Sequence, residues 1–173
     1  MTALSVPDRA AAIATFRFIE VKLMELVATW TPSTPEMEAK VMFGRHIWDF
    51  AQHADILGKR TFELRLPEQH SRPAAERYVA FLQSALVVSG TSERVATLYD
   101  AILAGLERRY RVYISQTDPI LDEPSIVILE RLLRDVERQR READSLRATL
   151  KLHKADAQTF IATDRAIDSV VAA

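Results

Sequence analysis

The chain predicts an all-α fold, and three observations carry that expectation. Apolar residues recur at three- and four-residue spacings through most of its 173 positions. Only four glycines occur, so hairpin and barrel chemistry is scarce. Prolines fall between the periodic stretches or in their first turns, where a helix tolerates them.

The first helix is predicted to begin near Pro7, with Ser5 as cap and Asp8 against the positive end of the helix dipole. Its apolar stripe reads Ile13, Phe16, Leu23, Val27 and Trp30, with one intruder, Glu20. Pro32 ends it. Thr34-Pro35-Glu36 then reads as cap, first turn and dipole-matched acid of a second helix from Pro35 to about Arg65. A crossover follows, holding a short helix from Pro73 to about Val88 and stopping at Gly90. A third long helix is predicted from Thr91 or Ser92 to Asp118-Pro119. A fourth, capped by Asp122, runs to about His153 with Ile126, Leu129, Leu133, Val136 and Ala143 inward. Residues 1–154 are read as one domain, and 155–173 as a tail, helical in part, that packs back or meets a partner. A tight turn makes helices one and two antiparallel, and a crossover of about 30 residues makes two and three parallel, which is a one-crossover bundle.

Composition excludes several functions. There is no cysteine, hence no disulfide and no thiolate chemistry. The net charge is −1 with acids and bases interleaved, so no face suits nucleic acid. No apolar run spans a membrane and the start lacks a leader pattern, so a soluble cytoplasmic protein is expected. Phosphate-binding glycine loops and a nucleophile elbow are missing.

The chemistry-bearing stretch is FGRHIWDFAQHADIL, Phe43 to Leu57. Helical spacing puts Phe43, His46, Phe50, His53 and Leu57 on one stripe, with Asp49 one turn before His53. Glu20 cannot lie ionised in an apolar stripe without a cation, a hydrogen-bond donor or protonation. Arg109 and His53 are its candidate partners. Asp49 could accept from either ring or ligate a metal. Glu107, with Asp100 and Tyr110, is the third helix's candidate for a carboxylate. Glu123, Glu130, Glu137 and Asp144 recur every seven residues with arginines four behind, which reads as a solvated face and removes the fourth helix as a donor. Arg108, Arg109 and Arg111 read as surface charge, and Trp30, Trp48 and the phenylalanines as core.

HIWDFAQHADILGKR (His46 to Arg60) resembles the second bundle helix of a bacterial ferritin-like branch. FIEVKLMELVATW (Phe18 to Trp30) resembles its first helix, and DEPSIVILERLLRDVERQ (Asp122 to Gln139) its fourth. The likeness covers roughly residues 8 to 145. It implies a ferritin-like four-helix bundle and a two-metal site built from two glutamates and two Glu-x-x-His pairs. The residues three before His46, His53, His70 and His153 are Phe43, Phe50, Pro67 and Leu150, so no Glu-x-x-His exists. Arg140 stands where a histidine would follow Glu137. Glu20 and His53 are what match the family's pattern.

Two functions follow as expectations. The favoured one is a bundle with a degenerate site acting as a binding or interaction protein, as a homodimer through Met42, Ile47 and Ile56. It is favoured because two metals need several buried carboxylates and only one can be placed. The other is a metal-dependent oxidoreductase with iron or manganese on Glu20, Asp49, His53 and Glu107, with His46 as a further candidate ligand. A small-ligand pocket beside Phe43, Phe50 and the histidines is the third option.

Overall fold

The computed structural model describes residues 4–172. They form α1 (Val6–Trp30), α2 (Met37–Glu63), α3 (Glu76–Leu86), α4 (Thr91–Val95), a π-helical stretch (Ala96–Ile102), α5 (Leu103–Gln116), α6 (Glu123–Leu150) and α7 (Gln158–Arg165). From 91 to 116 the chain is one unbroken rod. Among the described residues no strand forms beyond a single bridge between Ala74 and Val171.

Sequence explains the ends of these helices unevenly. Ser5 and Asp8 close a reciprocal capping box on α1, a feature worth about 1 kcal/mol. The predicted cap of α2 is corrected. Glu36, not Thr34, is its N-cap residue and makes no side-chain cap bond. The Thr34 hydroxyl instead donates to the Trp30 carbonyl at 2.9 Å and accepts from Arg94 at 2.9 Å. Asp122 does start α6, but its carboxylate serves elsewhere. It accepts from Arg60 (2.9 Å), Tyr113 (2.7 Å), Thr117 (2.7 Å) and Ser125 (2.7 Å). Lys151, at φ 50°, ends α6 in the left-handed conformation.

Contacts fix the helix directions. Trp30 packs on Phe43 and Glu20 meets His53, so α1 and α2 are antiparallel. His46 meets Glu142, His53 meets Asp135 and Arg60 meets Asp122, so α2 and α6 are antiparallel. Asp100 meets Arg147 and Tyr113 meets Asp122, so the 91–116 rod also opposes α6. The rod and α2 therefore run the same way, and residues 64–90 carry the chain back between them.

One continuous apolar core joins all these elements, including Ile167 and Val170 of the tail. The tail packs back on the rod through Asp164, which accepts from Arg108 and Arg109. Gly105 permits that approach, because a Cβ there would collide with the Asp164 carboxylate. Arg109 is thus not surface charge. It is largely buried in this pairing, with its guanidinium 5.0 Å from the Tyr78 ring centre. The inward stripe of α1 is fully formed, Glu20 included. Trp48 departs from expectation, being 65% exposed. Met42 also departs: it lies in the core, with Ile47 and Ile56 packed against it, so the three make no outward face.

Candidate functional site: a buried acid–base network

Helical spacing aims one face of α2 at the interior, and α6 meets that face with its own polar residues. Glu20 is 0% exposed. Its Oε2 lies 3.2 Å from Nδ1 of His53, and its Oε1 accepts from the Tyr110 hydroxyl at 2.5 Å, the short length of a charge-assisted bond. Nε2 of His53 lies 3.2 Å from Asp135 of α6. A carboxylate can only accept, so both ring nitrogens must donate, and His53 is an imidazolium. Burial alone would push that ring toward neutrality. The Glu20 charge overrides it, the Asp135 bond adds to it, and His53 is held up at about 9. In return the His53 bond, with Arg138 behind it, holds Asp135 down at about 2.

His46 sits seven residues earlier with the opposite outcome. Its Nε2 lies 3.1 Å from Glu142, and its Nδ1 lies 2.7 Å from the Tyr99 hydroxyl. Burial lowers its pKa, and the Glu142 bond does not restore it. The neutral ring must then carry its proton on Nε2 and accept from Tyr99 on Nδ1. Tyr99 lies in the π-helical stretch; such wide turns recur at functional sites. Burial raises the Tyr99 and Tyr110 hydroxyls well above their ordinary values, so both stay donors.

Between the two histidines stands Arg138. Its guanidinium donates to Asp49 at 2.8 Å, to Asp135 at 3.2 Å and to Glu142 at 3.1 Å. Gln139 adds a bond to Asp49 at 3.0 Å. The chain Glu20–His53–Asp135–Arg138–Glu142–His46–Tyr99 is therefore continuous across four helical segments.

The candidate residues from sequence are thus divided. Glu20 and His53 meet directly. His46 joins the same network through Glu142 and Arg138, and Asp49 joins through Arg138 rather than through either imidazole. Glu107 stands apart, paired with Arg140 (2.9 Å) and Arg111 (2.8 Å). Arg140 reaches Glu107 and not Glu20. The partner of Glu20 is His53, not Arg109. The reading that removed α6 as a donor is overturned: Glu130, Glu137 and Asp144 are exposed, but Asp135, Gln139 and Glu142 turn inward. The missed residues carried a signal. Asp135 and Glu142 repeat the seven-residue interval of His53 and His46, so antiparallel helices bring the pairs into register.

The donor set does not fit the two-metal centre that the ferritin resemblance implies. Both nitrogens of His53 are protonated toward carboxylates, and a guanidinium occupies the space among three acids. Among the described residues no three of His, Asp and Glu are grouped to hold a metal ion. Phe43 and Phe50 are fully buried in the core, with Phe50 edge-on to His53 at 6.4 Å. Comparison with protein-family models, curated proteins and solved structures finds no match to this chain.

Proposed function

We propose that this chain is a ferritin-like helical-bundle protein in which an internal ion-pair network stands in place of a metal centre. It acts as a cytoplasmic binding or interaction protein and works as a homodimer. The helix directions support the bundle reading: α1 and α6 run one way, α2 and the 91–116 rod the other, with a long crossover between the parallel neighbours. No helix of the described residues is long and apolar enough to cross a membrane.

One observation carries the functional reading. Arg138 donates to Asp49, Asp135 and Glu142 at once, from a position between two histidines. A fixed organic cation does there what a metal ion would do electrostatically, without offering an open coordination position. At that centre all four imidazole nitrogens of His46 and His53 already have hydrogen-bond partners. The internal polar groups then serve to fix helix register, and recognition falls to the outer faces.

Elemental analysis of protein purified without chelators tests this. The expected result is no stoichiometric iron or manganese. Stoichiometric metal, lost in a folded Glu20→Ala variant, would instead favour a metal-dependent oxidoreductase.

A further inference from the structure

The outward face of α2 carries large exposed apolar side chains. Met37 is 66% exposed, Val41 55%, Trp48 65% and Phe62 67%. Met37, Val41, Gly44, Trp48 and Ala51 fall at spacings of 4, 3, 4 and 3, a heptad seam of the kind that packs against another helix. At Gly44 nothing lies within 4 Å of where a Cβ would be, so the backbone itself is open there. A helix of 27 residues is about 40 Å long, enough for an extended interface.

We infer that this face seats a second copy of the chain, with the two α2 helices antiparallel about a two-fold axis near residue 50. This rests on the interaction-protein reading above and names its partner. One pair of opposite charges is self-complementary about that axis. Arg45 and Asp55, paired within the chain with Glu142 and Lys59, lie five residues to either side of it on exposed side chains, which brings each arginine level with the partner's aspartate. The same axis sets Trp48 of one copy over the small residue Ala51 of the other. It brings Phe62 to the level of Met37 and Val41, where α2 and α6 leave a groove of about 550 Å³ lined also by Met42 and Leu146. A protruding ring and a groove with an apolar floor and a charged rim thus occur at matched distances from one axis, which is what an isologous interface requires. A partner of different sequence would need no such internal symmetry of charge.

Sedimentation equilibrium over a concentration series provides the test. Wild-type protein should be a dimer at micromolar concentration. Trp48→Glu should weaken dimerisation about 30-fold or more, as loss of a central tryptophan anchor does, with helicity unchanged because the residue is exposed. Arg45→Asp and Asp55→Arg should each weaken the dimer, and the double variant should recover it. A monomeric wild type, a dimer indifferent to Trp48→Glu, or a double variant weaker than both singles would each overturn the proposal. These results are independent of metal content: a metal-free monomer removes this interface and the homodimer with it but leaves the ion-pair network in place of a metal centre, whereas a metal-loaded dimer does the reverse.

Discussion

His46 and His53 occupy the same face of one helix, two turns apart, and each turns Nε2 toward a carboxylate of α6. Both are buried, yet one is neutral and the other charged. The difference lies at Nδ1. His46 meets the Tyr99 hydroxyl, which can donate, and His53 meets Glu20, which can only accept. Burial pushes both rings the same way, so the second partner decides the charge. A buried imidazole is thus read from its pair of neighbours, not from its depth.

Removing each ring in turn separates the two regions. His53→Ala leaves the buried Glu20 carboxyl with Tyr110 as its one remaining hydrogen-bond partner. It should destabilise by about 3–5 kcal/mol in chemical denaturation, the cost of orphaning a buried charge. His46→Ala deprives only Tyr99 of an acceptor and relaxes a part-exposed acid, Glu142. About 1–3 kcal/mol is expected. Equal losses in the two variants would erase the distinction between the layers.

The pH dependence of stability sharpens the same comparison. His53 has a folded value of about 9, above the ordinary 6.5. Below pH 6.5 both folded and unfolded chains hold the proton, and the contribution is complete. Between 6.5 and 9 the unfolded chain releases it first, and up to about 3 kcal/mol fades as pH rises. His46 is shifted down, so its contribution runs the other way: as pH falls below 6.5 the unfolded chain takes up a proton that the folded site resists. Stability should therefore peak near pH 6.5 in urea titrations. His53→Ala should flatten the alkaline limb, and His46→Ala should soften the acid limb, leaving the part that Asp135 contributes as it protonates near pH 2.

Neutralising the α6 carboxylates should give the smallest effects. Asp135→Asn keeps an acceptor for His53 and should move the alkaline limb to lower pH without abolishing it. Glu142→Gln should leave that limb in place. About 1 kcal/mol or less is expected for either, since both sites are partly solvated.

How much of this was legible in the sequence follows from where each residue sits on its helix. Glu20 betrayed itself by interrupting an apolar stripe, and His46 and His53 by sharing one. Their partners on α6 were hidden because charged residues crowd both edges of that helix's apolar stripe, and a seven-residue row of exposed acids drew the reading outward. Asp135 and Glu142 obey the same period one face over, and only the antiparallel register distinguishes the rows. Trp48 misled for the opposite reason: its type suggests burial, but the stripe through Met37, Val41 and Gly44 already placed it outside. Tyr99 depends on the π-helical stretch, whose wide turn no local spacing announces.

The protonation of the two rings tests the account most directly. Ring-nitrogen NMR at pH 7.5 on ¹⁵N-histidine-labelled protein, assigned with the single His46 and His53 variants, reads it without perturbing the site. The expected spectrum shows His53 with protons on both nitrogens and His46 with one, on Nε2. A neutral His53, or two rings in the same state, would mean that Glu20 is not balanced by an imidazolium and that the network is wired differently.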